Sequence, residues 1–311
     1  MKLVIHAGIH RTGTSSLQQF LHRNRAALAA HGIAYPGSEA NHQKAAWALR
    51  RNPANPESLG PLLDPCASSQ LAILSGEDFC IHEDLSWLET LAERHEVRVV
   101  FYLRRQDHWV MSWYNQHIKW PFDREKSRMS KEEFLAAVGD FHWLDFATML
   151  RRWSNVLGMD AVSVGVVERG QVEDVIADFI ARAGLPAEGL EPTEGRFNDS
   201  LPVHLLEVAR HLGIHDLPGK ARVRLLAAMR GSLANKRSPA NTILSPQERN
   251  TLLARFEASN RIAALEFLGR AELFYELPPG AQDPYFDFPE LSSEELLREW
   301  VRPLIHALAK P

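Results

Sequence analysis

The chain has 311 residues, 45% of them hydrophobic, enough to bury a full core as one large domain or as a domain with substantial insertions. A formal net charge of −4 removes any bulk electrostatic case for nucleic acid or an anionic membrane, so anion binding must be local. No secretory apolar segment and no stretch near the roughly 20 apolar residues that span a bilayer is present, so a soluble cytoplasmic protein without a membrane anchor is expected.

In chain order, Leu3-Val4-Ile5 is a short apolar strand that leads into Gly8 and then Gly13-Thr14-Ser15. Ser16 to His31 carries Leu17, Phe20, Leu21 and Leu28 at helical spacing, with Gly32 as its stop. Ala34-Tyr35-Pro36-Gly37 reads as a turn, Asn41 to Arg50 as a short helix, and Asn52 to Ser69, with four prolines, as loop. Leu71-Ala72-Ile73-Leu74, ending at Ser75-Gly76-Glu77, is a continuous apolar run, the pattern of a buried parallel strand, and Val97 to Leu103 reads as a second buried strand, with a helix from Ser86 to His95 between them. Beyond a helix from Asp107 to Trp120 and a polar insertion to Glu132, the pattern predicts a helix over Phe134 to Leu157, a strand over Ala161 to Val167 and a helix over Val172 to Ala183. Asn198-Asp199-Ser200 caps a predicted helix within Arg196 to Gly213, Pro218 to Pro246 reads as helix plus loop, and Ser245 to Glu248 is a capping box for a helix to Gly269. The tail ends in one amphipathic helix, Ser292 to Ala309.

Alternating strands and helices predict an α/β fold with a parallel sheet covered on both faces, and such sheets bind ligands at the carboxyl ends of their strands. Those ends carry Gly8 to Ser15, Ser75 to Asp78 and Arg104 to Asp107. Strand, glycine loop and helix together cradle a phosphate through unpaired backbone N–H groups and the helix dipole. The loop nearly fits G-x-x-x-x-G-K-[ST], but Thr14 stands where the lysine belongs and the positive charge sits earlier, at Arg11. Thr12, Thr14, Ser15 and Ser16 add hydroxyl donors, and no strand is followed by a lone Asp to hold Mg²⁺. The plain alternative is a Gly-Thr-Ser turn that only caps a helix. Arg104 at a strand end and Ser112 about two turns into the next helix can converge on one anion, or form a solvated arginine beside an ordinary helix serine.

Taken together, these two patterns resemble the sulfotransferase family that uses 3′-phosphoadenosine 5′-phosphosulfate (PAPS). That family carries K-[TS]-G-T-[TS] after its first strand, here Arg11-Thr12-Gly13-Thr14-Ser15 followed by Leu17 and Gln18, and an arginine at a strand end with a serine eight positions on, here Arg104 and Ser112 with Tyr114 close behind. Gly32 to Gly37, Ser75-Gly76-Glu77 and the Asn198/Ser200 segment are similar to soluble bacterial members. The resemblance implies a P-loop NTPase-like central parallel sheet flanked by helices, with a helical C-terminal portion. It covers residues 1–274 as one α/β domain and leaves 275–311 as a C-terminal extension. It further implies that Arg11, Thr12, Gly13, Thr14, Ser15 and Ser16 bind the 5′-phosphosulfate, that Arg104 and Ser112 bind the 3′-phosphate, and that PAPS is the sulfuryl donor. The family's loop lysine, which stabilises the departing oxygen, is Arg11 here, and arginine and lysine are not interchangeable.

A base must take the acceptor proton. The family's layouts put it where Glu77 stands or just after the loop helix, where His42 and Glu39 lie; Glu77 is preferred, then His42, then Glu39. Carboxylates near sulfate oxygens meet like-charge repulsion that favours proton uptake. The remaining histidines and the pair Cys66 and Cys80 lack metal spacing, and no metal is expected. The resemblance implies a hydroxyl acceptor, on a saccharide or other small metabolite. The basic residues Lys119, Arg124, Lys126, Arg128 and Lys131, and Lys220, Arg222, Arg224, Arg230, Lys236 and Arg237, either close over a ligand or form solvated faces. Two rival functions are a phosphate-loop kinase, against which the missing lysine argues, and a catalytically silent nucleotide-binding or interaction protein.

Overall fold

A computed structural model of the chain describes residues 1–186, 188–192 and 200–309. Its elements run β1 (Lys2–His6), α1 (Thr14–Arg23), α2 (Arg25–Ala30), β2 (Ile33–Ala34), α3 (Gln43–Arg51), α4 (Gly60–Leu63), β3 (Leu71–Ser75), α5 (Ser86–Arg94), β4 (Glu96–Leu103), α6 (Gln106–Lys119), α7 (Lys131–Ala136), α8 (Phe146–Leu157), β5 (Val162–Val166), α9 (Val175–Ala183), α10 (Val203–His211), α11 (Gly219–Ser232), α12 (Pro246–Ala254), α13 (Glu257–Leu268), α14 (Ser293–Leu296) and α15 (Arg302–Leu308). They divide into two compact units, the first made of Met1–Gln106, Phe141–Phe197 and Arg255–Leu277, the second of Asp107–Asp140, Asn198–Ala254 and Pro278–Pro311.

The first unit holds the parallel sheet, in the order β2-β3-β1-β4-β5. β1 is central, pairing Val4 with Ile73 on one side and with Arg98 on the other, so its short apolar run is buried on both faces. One face, through Val4, Ile73, Val100 and Tyr102, packs on Leu17, Phe20 and Leu21 of α1, Leu28 of α2 and Phe179 of α9. On the other side Trp153 of α8 meets Phe101 of β4 at 5.3 Å and Trp87 of α5 at 5.8 Å between ring centroids, both edge to face. The strand order reverses at β1, so the loops after β1, β3 and β4 gather at one end of the sheet.

Departures from the periodicity have local causes. The helix expected over Ser16 to His31 begins at Thr14 and divides at Asn24. The Asn24 side chain donates to the carbonyls of Phe20 and Glu191, and accepts from the Glu191 N–H, in place of continuing the helix. Between Asn52 and Ser69, the segment read as loop contains successive short helical turns at Pro56–Leu59, Gly60–Leu63 and Asp64–Cys66, each with proline in its first two positions, where no N–H is needed. Phe134 to Leu157 is not one helix: α8 starts afresh at Asp145, whose carboxylate accepts from the Thr148 N–H at 3.1 Å. The Ser245 and Glu248 capping box is formed, but its helix breaks between α12 and α13 before ending at Gly269, which has φ +64°. The expected Asn198-Asp199 cap lies outside the described residues. Cys66 and Cys80 are buried free thiols.

The second unit is helical. Trp109 and Trp113 stack at 5.4 Å as core. Asn115 exchanges two hydrogen bonds with Leu201, and buried Asp107 pairs with Arg249 at 2.8 Å. Much of its basic sequence is used locally: Lys126 pairs with Asp123 and Asp140, Arg128 with Asp216, Lys131 with Glu248 and Lys236 with Glu299.

Candidate active site

The loop between β1 and α1 is held in shape by backbone geometry. Past the end of β1 it still bonds to β4, through Ala7 N–H to the Val100 carbonyl and Ile9 N–H to the Tyr102 carbonyl, at 3.0 and 3.3 Å. The Thr12 hydroxyl closes the turn onto the Ile9 carbonyl at 2.7 Å. Arg11 has φ +70° and Gly13 φ +84°, so the chain turns through the left-handed region twice before α1 begins. α1 starts with no side-chain cap and no acidic residue in its first turn, so no carboxylate of that turn offsets the positive end of its dipole. Gly8 is required for another reason. A Cβ there would stand 2.7 Å from Nε2 of His6, whose fully buried ring is bonded to the Ser75 hydroxyl at 2.7 Å and wedged edge-on between Tyr102 and Phe179.

The turn after β3 grips this loop at two points. The Glu77 carboxylate accepts from the Thr14 hydroxyl and, at 3.1 Å, from the Gln18 amide. Its neighbour Asp78, 4% exposed, takes His10 Nε2 at 3.1 Å on one oxygen and the indole N–H of Trp47 at 2.9 Å on the other. Burial pushes the Asp78 carboxyl upward, but hydrogen bonds from His10, Gln43 and Trp47 outweigh it and hold the group below its usual value. From β4, Arg104 donates to the Arg11 carbonyl at 2.8 Å, so the two sequence motifs meet directly. Burial lowers the Arg11 guanidinium from its ordinary value while the nearby Glu77 carboxylate opposes that; an arginine stays charged regardless.

His42 is placed differently. Its Nδ1 accepts the Ser75 N–H at 2.9 Å and its Nε2 donates to the Pro36 carbonyl at 3.0 Å, while its own N–H returns to the Ser75 carbonyl at 2.8 Å. A backbone N–H can only donate, so the ring is fixed as the neutral Nε2–H tautomer, and burial holds its pKa down. Glu39 is exposed and pairs with Lys44. Thr12 is buried, Ser15 and Ser16 line the first turn of α1, and Ser112 is a buried residue of α6 within the second unit. Arg105, next to Arg104, binds the Glu276 carboxylate and the Leu277 carbonyl and is structural.

Sequence reasoning missed His6, His10, Trp47 and Asp78. The signal available was the second carboxylate at the end of β3, directly after Glu77. Among the described residues no group of three or more His, Cys, Asp or Glu side chains is placed to hold a metal ion, and no helix is long and apolar enough to cross a membrane.

Comparison with known proteins gives this end of the sheet its context. A protein of Archaeoglobus fulgidus, itself described only as uncharacterized, is 26% identical over 208 residues, covering 65% of this chain and 55% of that protein, so the chain spans about half the length of the relative it matches. The family model of the sulfotransferase domain matches residues 3–168, which include the loop after β1, the turn after β3, Arg104 and Ser112. That match takes in more than half of the 311 residues, and the protein belongs to the sulfotransferase family.

Proposed function

We propose that this protein transfers the sulfuryl group of PAPS to a hydroxyl of a saccharide or other small metabolite. The observation that carries the reading is the contact between Arg104 and the Arg11 carbonyl beside the N-terminus of α1, because it joins the two candidate anion-binding motifs at one end of the sheet. The residues fit such a donor. Backbone N–H groups of the Thr12 to Ser16 turn and the hydroxyls of Ser15 and Ser16 suit the 5′-phosphosulfate, and Arg104 suits the 3′-phosphate, for which the family resemblance also marks Ser112. In the reaction the acceptor oxygen bonds to sulfur as the bond from sulfur to the 5′-phosphate oxygen breaks, the acceptor proton passes to a base, and 3′,5′-ADP departs. Arg11 opposes the charge that grows on the departing phosphate.

Glu77 is the base in this reading. Its carboxylate already reaches the Thr14 hydroxyl at the start of α1, whereas both His42 nitrogens are committed to the backbone and Glu39 pairs with Lys44 at the surface. Titration calorimetry with 3′,5′-ADP against ATP plus Mg²⁺ tests the reading. Tighter binding of 3′,5′-ADP supports it, and a preference for Mg²⁺-ATP sinks it in favour of a kinase.

A further inference from the structure

A file of contacts leads outward from the phosphate loop. His10 of the loop holds Asp78, and the other oxygen of Asp78 holds the indole N–H of Trp47 on α3. Trp47 is 38% exposed, an unusual placement for an indole whose N–H is tied to a buried carboxylate. One turn further along α3, the Arg50 guanidinium lies over the Trp47 ring, 5.1 Å from its centroid. Among the described residues no carboxylate lies within ion-pair distance of Arg50. Stacking on a fixed indole holds a guanidinium flat and leaves its edge of N–H donors free to turn outward, the geometry that reads a planar oxyanion in two parallel bonds.

A second cation stands nearby. Trp143 lies 6.3 Å from His10 between ring centroids, and its neighbour His142 feels both Arg50 and Arg152, each of which lowers its pKa beyond the effect of burial. Arg152 donates to the His82 carbonyl at 3.2 Å and lies 3.8 Å from the largely exposed Glu83, the carboxylate that also acts on His142. A solvated surface arginine needs no such mounting. Here the platform under Arg50 is fastened, through a buried carboxylate, to the loop that would hold the donor.

We propose that Arg50, mounted on Trp47, binds a planar oxyanion, a carboxylate, carried by the acceptor. This rests on the sulfotransferase reading and narrows its acceptor to an anionic saccharide or metabolite. Asp78 is then a positioning residue, setting the spacing between the acceptor's charged group and the donor loop.

The probes are p-nitrophenyl β-D-glucuronide and the neutral p-nitrophenyl β-D-glucoside, titrated calorimetrically into the full chain saturated with 3′,5′-ADP. The glucuronide should bind about tenfold tighter or better, Arg50→Gln should erase that preference, and Arg50→Lys should restore part of it, with 3′,5′-ADP affinity unchanged throughout. Equal affinities, no measurable glucuronide binding, or a preference that survives Arg50→Gln would overturn the inference. If 3′,5′-ADP itself does not bind, the sulfotransferase reading fails. The same glycoside comparison on nucleotide-free protein still reads the Arg50 site separately.

Discussion

Gly8→Ala tests whether the loop after β1 is shaped by the buried ring beneath it. The added methyl would sit 2.7 Å from His6 Nε2 and 3.3 Å from Thr14 Cγ2. Gly8 is not among the positive-φ residues, so the cost is steric rather than conformational. Ordinarily the far end of a side chain would swing aside. His6 has no such freedom, being fully buried, bonded to Ser75 and held between Tyr102 and Phe179. Overpacking of this kind costs about 1–3 kcal/mol, a fall of roughly 2–5 °C in the thermal midpoint for a chain of this size. The double-mutant cycle with His6→Ala isolates the contact, because removing the ring opens the space that the methyl needs. Gly8→Ala should then cost at least about 1 kcal/mol less in the His6→Ala background than alone. Calorimetric melting of the four proteins measures it, and equal costs in both backgrounds would refute the argument.

Other consequences are as direct. Glu77→Gln should lower sulfuryl transfer by about 10²-fold or more while 3′,5′-ADP affinity stays within a few-fold; an unchanged rate removes Glu77 as base. Arg104→Ala should weaken 3′,5′-ADP by about 10–100-fold in calorimetry yet leave 5′-AMP nearly unaffected, and parallel losses would deny Arg104 its role at the 3′-phosphate. Burial holds His6 at about 4 against an ordinary 6.5, with Glu77 opposing. The unfolded chain therefore binds this proton first, so stability is full above about pH 6.5 and falls between there and about pH 4, by up to about 3 kcal/mol. The urea midpoint should drop from about pH 7 to about pH 4.5, and a flat profile in that window contradicts the burial of a neutral ring. Finally, Arg11→Gly should be more stable than Arg11→Ala by about 1 kcal/mol, since glycine alone is at ease at φ +70°, and equal stabilities would show that no backbone strain resides there.

The parts of the fold legible in the sequence are those where burial is two-sided. β1, β3, β4 and β5 read as short, mainly apolar runs because helices cover both faces of the sheet, and the turn after β1 is marked by Gly13. β2, two residues at the sheet edge, is too short to carry any period. The break at Asn24 depends on Glu191, 167 positions away, which no local pattern encodes. The same distinction divides the candidate site. Thr14, Glu77 and Arg104 were marked by their places at strand ends. The bonds of Asp78 to Trp47 and His10 join residues 31 and 68 positions apart, and only the folded chain brings them together.

The displaced charge of the loop follows from that same folding. A lysine at the position of Thr14 would begin α1, but the Thr14 hydroxyl is spent on Glu77, a contact that a lysine could replace only by forming an ion pair with that carboxylate. Such a pair would hold the proposed base ionised but occupied, and would draw the cation away from the anion site. With the charge at Arg11 the tasks separate: threonine binds the carboxylate as a neutral donor, while the cation rises from a left-handed turn whose carbonyl Arg104 secures. The guanidinium also suits this position better than an ammonium, because its weaker hydration lowers the cost of partial burial while its charge persists. A loop that kept its lysine on the helix would favour the β- and γ-phosphates of a nucleoside triphosphate. In the PAPS reading proposed above, Arg11 and Arg104 would each serve one of the donor's two phosphate groups, the 5′-phosphosulfate and the 3′-phosphate.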